Sequence, residues 1–342
     1  MKFFNNGSVE IGIDLGTANT LIIHNGKIVV DEPSIIAYEV SSMKVIAIGN
    51  QARQMHEKTH ANIKTIRPLK DGVIADFSAA ELMIKNMVKL IPKSGSFFAR
   101  SYKMTICIPT SITEVEKRAV KDSAVHAGAL EVYTIYEPLA AALGIGLDIE
   151  APDGFLIVDI GGGTTEIALI ALSGIVTENS IRIAGDAFNT DILNYIRKNY
   201  NIMIGERTAE LIKLKIGSAV NELDEEVEEL EVAGRDLLTG VPKSVRLNYA
   251  EIAFALEKSL IKIEEAILKA LENSPPELSS DLFRNGIFLT GGGALLRGID
   301  KRISEKTKLK VTIGSEPLGA VVRGTGVAMS NHKKYSKILS SN

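Results

Sequence analysis

The amino-acid sequence predicts an α/β fold built from two similar halves, each with apolar strands that end in glycine-rich turns. The first observation is an internal repeat, because Ile13-Asp14-Leu15-Gly16-Thr17 and Val158-Asp159-Ile160-Gly161-Gly162 both place Asp-x-Gly at a strand end. The two aspartates lie 145 positions apart (159 minus 14), far beyond a solenoid period, so a whole domain is duplicated. The second observation is length, since 342 residues correspond to two domains of roughly 150 residues each.

Composition restricts the class of protein. Hydrophobic residues make up 45% of the chain, which is enough for a large core. The 39 basic and 42 acidic residues nearly balance, and this argues against a nucleic-acid partner. Cys107 is the single cysteine, so an intramolecular disulfide is excluded, a reducing cytoplasm fits, and a small core residue is expected. Neither a signal peptide nor an apolar run of transmembrane length is expected.

In the first half, short apolar runs predict strands, and charged runs rich in alanine predict helices. Pro138 suits the first turn of one helix, and Ser111 and Thr113 are suitable caps for the other. The predicted strands are 9–13, 21–24 and 27–30, and the predicted helices are 114–127 and 139–143.

The second half repeats the strand–turn–strand pattern and then becomes helical. Pro275 and Pro276 stop the second of its two predicted helices. The acidic run at 221–231 is expected to form a solvated face. The predicted strands are 155–159 and 167–170, and the predicted helices are 206–220 and 250–271.

Three glycine-rich segments follow apolar strands: a first glycine loop (14–20), a second glycine loop (159–165) and a third glycine segment (288–296). Glycines let backbone N–H groups approach a phosphate chain, and a carboxylate at the strand end suits Mg²⁺. Two such loops facing each other would bind a triphosphate from both sides, although either loop alone is equally compatible with an ordinary hairpin turn. The sequence contains neither a Walker A pattern nor a dinucleotide-binding pattern, so neither a P-loop NTPase nor a Rossmann protein is expected.

In combination, these motifs resemble the superfamily of actin, heat-shock chaperone ATPases and sugar kinases, and within it the MreB family of bacterial actins. The resemblance extends from Val9 to Met329. The motifs that carry it indicate this family in combination, whereas each motif alone is less specific. They lie at 14–20, 66–77, 137–142, 159–166 and 289–298.

The resemblance implies an actin-like fold of duplicated ribonuclease-H-like domains that flank a nucleotide cleft. The first half would comprise residues 1–145, with a small subdomain inserted at about 33–65. The second half would comprise residues 146–342, with a small subdomain at about 181–245 and the last ~25 residues returning to the first half.

The resemblance also implies an ATP and Mg²⁺ site. Asp14 and Asp159 would hold Mg²⁺ through waters, while Glu137 would orient the attacking water with help from Thr164. The phosphates would be bound by Gly16, Thr17, Ala18, Asn19, Gly161, Gly162, Gly163 and Thr164.

The nucleoside would be bound by a helix and by the third glycine segment. By the resemblance, Glu210 and Lys213 would face the ribose and base. Their i,i+3 spacing puts both on one helical face, which makes this role physically possible, and a surface ion pair is the alternative. The adenosine would be bordered by Gly291, Gly292, Gly293, Ala294 and Leu295.

By the same resemblance, the protein is expected to be an ATPase in which hydrolysis is coupled to polymerisation. It would form a homopolymer of paired protofilaments in the cytoplasm, at the inner face of the plasma membrane, and would maintain cell shape by guiding cell-wall elongation proteins. A chaperone-like or sugar-kinase-like ATPase and a non-hydrolysing scaffold are the alternatives on this fold. A chaperone would need a substrate-binding domain, and a sugar kinase would need a catalytic aspartate with sugar-binding residues.

A basic loop with two adjacent aromatic residues suggests contact with lipid. Phe97 and Phe98 stand between Lys93 and Arg100, and exposed rings flanked by cations suit an anionic bilayer surface. The alternative is that both rings pack beneath their own loop. The resemblance favours membrane contact.

One short pattern suggests a competing chemistry. His56-Glu57-Lys58-Thr59-His60 matches the zinc-protease motif, which requires a helix that presents both histidines on one side. Turn-prone residues after this segment and its lack of an apolar face argue against such a helix. His24, His126 and His332 supply no obvious third ligand, so zinc catalysis is a minor alternative.

Overall fold

The computed structural model describes residues 8–92 and 101–340, which form two compact units. The first unit takes its described residues from Met1–Pro152, Ile170–Ile175 and Leu318–Asn342. The second unit comprises Asp153–Leu169 and Val176–Pro317. The first unit thus extends to Pro152, beyond residue 145, and it also includes the tail that begins at Leu318.

Within the described residues, ten strands and four helices precede Pro152. The strands are β1 (Val9–Leu15), β2 (Asn19–His24), β3 (Lys27–Pro33), β4 (Ile36–Glu39), β5 (Val45–Ile48), β6 (Ile63–Ile66), β7 (Leu69–Lys70), β8 (Val73–Ile74), β9 (Tyr102–Ile108) and β10 (Ala129–Tyr136). The helices are α1 (Gly49–Met55), α2 (Phe77–Val88), α3 (Glu114–His126) and α4 (Glu137–Gly144).

The main sheet of the first unit has the strand order β10-β9-β1-β2-β3. β1, β2 and β3 form an antiparallel meander, while β9 runs parallel to both β1 and β10. Ile11, Ile13 and Ile106 of the sheet and Met83 and Met87 of α2 are fully buried in its core. A small three-stranded sheet, β5-β4-β6, is inserted after β3.

The second unit contributes eight further strands and five helices within the described residues. The strands are β11 (Phe155–Ile160), β12 (Thr165–Ala171), β13 (Gly174–Ile181), β14 (Ile202–Met203), β15 (Leu230–Asp236), β16 (Pro242–Leu247), β17 (Ile287–Thr290) and β18 (Val311–Ile313). The helices are α5 (Gly185–Tyr200), α6 (Glu206–Ile216), α7 (Tyr249–Glu272), α8 (Ser279–Asn285) and α9 (Ile299–Thr307). A tenth helix, α10 (Ala320–Ser330), lies in the first unit.

The main sheet of the second unit has the order β13-β12-β11-β17-β18, and a small sheet has the order β14-β15-β16. Read from β3 and from β13, the two main sheets have the same arrangement. Three strands that are consecutive in the chain (β3-β2-β1 or β13-β12-β11) are followed by two later strands (β9-β10 or β17-β18). β17 is parallel to both β11 and β18, as β9 is to β1 and β10. The shared strand order is what a duplicated domain requires, and it agrees with the repeat in the sequence.

An ion-pair network joins α7 to α9 in the second unit. The guanidinium of Arg302 donates to both carboxylate oxygens of Glu257, at 2.7 and 3.0 Å, and also to the buried carboxylate of Glu264. Its Nη1 donates to the Ala219 carbonyl at 3.0 Å. Arg302 lowers the pKa of Glu257 by stabilising its ionised form.

In the first unit, α4 and α10 approach each other closely because glycines face the contact. A Cβ on Gly144 would lie 1.8 Å from the Ala320 carbonyl oxygen, and a Cβ on Gly324 would lie 1.7 Å from the Ala140 carbonyl oxygen. Neither position has room for a side chain, so the packing of these two helices depends on both glycines.

Most of the predicted elements are confirmed, and their ends follow local chemistry. Thr113 is the N-cap of α3, in a capping box with Glu116, whereas Ser111 lies outside it. α6 ends at Ile216 rather than residue 220, because Gly217 takes extended backbone. The acidic run is irregular as far as residue 229, and β15 begins at Leu230.

The zinc alternative is wrong. α1 ends at Met55, so His56 and His60 are not on one face of a helix, and His56 Nδ1 lies 3.0 Å from Thr65 Oγ1. Across residues 8–92 and 101–340, no group of three or more His, Cys, Asp or Glu side chains is placed to hold a metal ion.

Candidate functional site

The first glycine loop (14–20) connects β1 to β2 in a turn that has no room for a side chain at its single glycine, Gly16. A Cβ on Gly16 would lie only 2.7 Å from the Asn19 carbonyl oxygen. Asp14 is half-buried on β1, Thr17 is buried, and Asn19 is exposed at the start of β2. The turn is therefore tight at Gly16, and the loop lies at the point where β1 ends.

Side chains of the first glycine loop are held by neighbouring segments of the same unit. Thr17 Oγ1 accepts a hydrogen bond from the Gly72 N–H at 3.0 Å. Asn19 Nδ2 donates to Asp31 Oδ1 at 3.0 Å. The side chain of Asn19 is therefore bonded to β3, so the phosphate contact predicted for Asn19 would be made by its backbone N–H.

Glu137 lies at the same sheet edge as Asp14. β1 and β10 are both parallel to β9, so the carboxyl ends of all three strands meet at one edge. Asp14 is near the end of β1 and Glu137 follows β10, which separates them by two strand spacings, about 10 Å. Ligands of α/β sheets bind at such edges, and the first unit thereby brings two of the predicted carboxylates to one place.

The second glycine loop (159–165) connects β11 to β12 and is bonded to the start of α5. The Gly161 N–H donates to the Thr164 carbonyl at 2.9 Å, which closes the turn. The N–H groups of Gly185 and Asp186 donate to the carbonyls of Gly161 and Gly162, at 3.1 and 2.8 Å. This arrangement seats the loop against the N-terminus of a 16-residue helix, where the helix dipole favours anions.

Asp159 has the electrostatic character expected of a cation-binding group. Its side chain is only 6% exposed, and its Oδ1 has no hydrogen-bond partner within the described part of the chain. Burial raises the pKa of Asp159 from 3.8 to about 6; the Thr290 hydroxyl works in the opposite direction, and the negative charge of Glu166 adds to the rise. A buried carboxylate oxygen of this kind fits a hydrated Mg²⁺ ion that would supply the missing positive charge.

The third glycine segment (288–296) packs against the second glycine loop. Gly291 has φ of +79°, and a Cβ there would lie 2.4 Å from the Ile160 carbonyl oxygen and 2.9 Å from Asp159 Oδ1. A Cβ on Gly293 would lie 2.2 Å from Ile160 Cγ2. A 3₁₀ turn at Gly292–Leu295 follows, in which Ala294 is buried while Leu295 is 54% exposed.

The two predicted nucleoside contacts, Glu210 and Lys213, both lie on α6. Glu210 and Lys213 are both half-buried. Lys213 Nζ donates to the Gly185 carbonyl at 2.9 Å, which places its charge at the start of α5 beside the second glycine loop. Lys213 is consequently as well placed for a phosphate as for the predicted ribose.

The second unit thus brings together the second glycine loop, the third glycine segment and Lys213, while the first unit brings together the first glycine loop and Glu137. Thr290 and Gly72 lie within motifs that the sequence analysis names, but no role was predicted for either residue. Thr290 is the Cα partner of Asp159 in the β11–β17 pairing, and the Gly72 N–H donates to Thr17. Neither contact had a sequence signal, because each joins residues that are distant in sequence. Phe97 and Phe98 lie outside the described residues.

Comparison with known families gives a match over nearly the whole chain. A family model described as MreB/Mbl protein matches residues 8–337. The cell shape-determining protein Mbl of Bacillus subtilis is 46% identical over 329 residues, covering 96% of this chain and 98% of that protein. The cell shape-determining protein MreB of Escherichia coli is 48% identical over 333 residues, covering 96% of this chain and 95% of that protein.

Solved structures agree with this match. The crystal structure of MreB 5 of Spiroplasma citri bound to AMPPNP has a TM-score of 0.89 and 40% identity, covering 96% of this chain and 98% of that one. A MamK double helical filament has a TM-score of 0.79 and covers 95% of this chain and 99% of that one. MamK is only 21% identical, so this second likeness concerns the fold alone.

Proposed function

Because the chain belongs to the MreB/Mbl family and has the actin-like fold, we propose that it is a cell shape-determining cytoskeletal protein that binds and hydrolyses ATP and polymerises. The observation that carries the nucleotide part is the second glycine loop. It combines close-packed glycines, a helix N-terminus and a buried carboxylate oxygen without a hydrogen-bond partner in the described residues. The MreB 5 structures bound to AMPPNP and to ADP support the choice of an adenine nucleotide.

In this proposal, the first and the second glycine loop both bind phosphate. Backbone N–H groups at Thr17, Ala18, Asn19 and at Gly161, Gly162, Gly163 and Thr164 bind the phosphates, as glycine-rich loops do elsewhere. Lys213 adds a positive charge to the second loop. Asp14 and Asp159 would hold Mg²⁺ through waters, and the ion would neutralise negative charge on the phosphate oxygens.

Hydrolysis is assigned to Glu137 and Thr164. The Glu137 carboxylate, in the first turn of α4, accepts a hydrogen bond from a water molecule and aims its oxygen at the terminal phosphorus. Thr164, whose side chain is almost buried, assists in holding that water. Glu210 and the exposed Leu295, with Gly291 to Ala294, border the ribose and base.

Polymerisation and membrane contact complete the proposal. Association of copies of this chain into a homopolymer of paired protofilaments is proposed on its membership of the MreB/Mbl family. The proposed location is the cytoplasmic face of the inner membrane, through Phe97 and Phe98, with cell-wall elongation proteins as partners. Among the described residues, no helix is both long and apolar enough to cross a bilayer.

The test is ATP-dependent sedimentation and electron microscopy, with and without anionic liposomes, on the wild-type protein and Glu137→Ala. We expect wild-type filaments that bind the liposomes and release phosphate. Glu137→Ala should bind ATP and polymerise, with phosphate release reduced by about 10²- to 10⁴-fold, the usual contribution of a general base. Glu265→Ala, an exposed position on α7, is the matched control and should behave as wild type.

Three outcomes would contradict separate parts of the proposal. The absence of filaments with every nucleotide would refute polymerisation. Filaments that ignore liposomes would refute only the membrane contact. Normal phosphate release by Glu137→Ala would refute the catalytic role of that carboxylate.

A further inference from the structure

Ser34 is a buried polar residue to which the proposed function assigns no role. It lies between β3, which ends at Pro33, and β4, which begins at Ile36, and its side chain is only 1% exposed. It follows that its hydroxyl must be bonded within the protein, because a buried unbonded hydroxyl would be costly.

Ser34 forms hydrogen bonds with three residues of the first glycine loop. Its Oγ donates to the Gly16 carbonyl at 2.6 Å, and its backbone N–H donates to the Ala18 carbonyl at 2.9 Å. The hydroxyls of Ser34 and Thr20 lie 2.8 Å apart. Since the Ser34 hydrogen is already given to Gly16, Thr20 is the donor in that pair. Ser34 therefore holds the loop at three points, Gly16, Ala18 and Thr20.

These bonds determine where the N–H groups of the loop point. In a trans peptide the carbonyl and the following N–H point in opposite directions, and the described chain contains no cis peptide. With the Gly16 and Ala18 carbonyls directed at Ser34, the N–H groups of Thr17 and Asn19 are directed away from it. Those are two of the N–H groups proposed to bind phosphate.

The same residue stands where the small sheet β5-β4-β6 joins the main sheet. The Gly49 N–H donates to the Ile35 carbonyl at 2.9 Å, and the Asn50 N–H donates to the Glu32 carboxylate at 2.7 Å. The residues on both sides of Ser34 are thus bonded to the start of α1. Ser34 therefore lies between the first glycine loop and the residues that are bonded to the start of α1.

We propose that Ser34 is a positioning residue for the phosphate site: it orients the Thr17 and Asn19 N–H groups toward phosphate and couples the first glycine loop to the small sheet. This inference rests on the proposed binding of ATP. Ser34 acts through the loop and does not touch the ligand itself.

The test compares Ser34→Ala with Ser42→Ala, a serine at the exposed β4–β5 turn that bonds Glu39 instead. Affinities for Mg-ATP and for adenosine are measured by calorimetry, and exchange of amide hydrogens at 36–66 is followed with and without Mg-ATP. Ser34→Ala should bind Mg-ATP about tenfold more weakly, bind adenosine as wild type does, and lose the ATP-dependent change in exchange. Ser42→Ala should match wild type throughout.

A second variant, Thr20→Val, removes the other hydroxyl and should reproduce the effect, which keeps the test decisive if Ser34→Ala folds poorly. Mg-ATP affinity unchanged in both variants would overturn the inference. Equal weakening of Mg-ATP and adenosine would also overturn it, because that pattern indicates general destabilisation. If the wild-type protein bound no Mg-ATP, the proposed function itself would fail.

Discussion

Replacing Asp159 by Asn should stabilise the protein in the absence of Mg²⁺ and nucleotide while abolishing the proposed cation site. The reason is that the Asp159 carboxylate is buried, and one of its oxygens has no hydrogen-bond partner among the described residues. An ionised group in that position costs folding free energy that a neutral amide of the same shape does not.

The magnitude follows from the pKa of Asp159. A rise from 3.8 to about 6 means that the folded protein binds this proton more tightly than the unfolded chain does. The ionised carboxylate therefore destabilises the fold by about 3 kcal/mol above pH 6, and this cost disappears as the pH falls below the unfolded value. The Asn amide will lack some hydrogen bonds, which offsets part of that gain, so we expect a net stabilisation of about 1–2 kcal/mol at pH 7.5.

The assay is urea unfolding of the wild type and Asp159→Asn in EDTA, without nucleotide, at pH 7.5 and pH 5. The stabilisation by Asp159→Asn should be about 1–2 kcal/mol smaller at pH 5, where part of the wild-type cost is already relieved. Calorimetry should show that the variant has lost Mg-dependent affinity for ATP. A variant less stable than wild type at both pH values would refute the reasoning, since the buried charge would then be compensated.

Three further predictions concern the fold and are checked by denaturant unfolding. Gly324→Ala should destabilise the protein by about 3 kcal/mol through overlap between α4 and α10, whereas Gly174→Ala, with its nearest atom at 3.6 Å, should cost little. Arg302→Ala should cost about 3 kcal/mol because it leaves buried Glu264 with only the more distant Lys306 Nζ, at 3.7 Å, whereas Arg246→Ala, in an exposed pair, should cost less than about 1 kcal/mol. Thr113→Ala should cost about 1 kcal/mol by removing the cap of α3, and an unchanged midpoint would contradict that role.

Local patterns predicted the elements of the fold well. The apolar runs before Asp14 and Asp159 gave β1 and β11, and Thr113 followed by Glu116 is a sufficient signal for the start of α3. The repeat of Asp-x-Gly, together with the resemblance, predicted the duplicated actin-like fold, which the comparisons confirm. These features depend on a few neighbouring residues, so the sequence exposes them directly.

Contacts between distant segments were not predictable in the same way. The orphaned oxygen of Asp159 depends on the pairing of β11 with β17, and the bond from Lys213 to Gly185 depends on how α6 packs beside α5. Ser34 gave no signal, because a serine after a proline is common and only its burial beside Gly16 makes it informative. The roles assigned to the site residues stay predictions.

The duplication also bears on why a single carboxylate is assigned to hydrolysis. Two Glu-Pro-Leu segments follow the fifth strand of a main sheet: Glu137-Pro138-Leu139 after β10 and Glu316-Pro317-Leu318 after β18. The first segment begins helix α4, and the second precedes helix α10. The two copies have diverged at that point. α4 begins at Glu137 itself, whereas α10 begins at Ala320, after a 3₁₀ turn at Pro317–Gly319.

The helices α4 and α10 still contact each other through equivalent residues, whereas the two glutamates differ in backbone conformation. Gly144 of α4 faces the Ala320 carbonyl, and Gly324 of α10 faces the Ala140 carbonyl, so each helix offers the other the same contact. Glu316, by contrast, has φ of +46°, a left-handed backbone conformation, whereas Glu137 begins a regular helix. Of these two glutamates, only Glu137 has its carboxylate on the first turn of a helix, at the strand edge that it shares with Asp14. This difference favours one hydrolytic carboxylate over two.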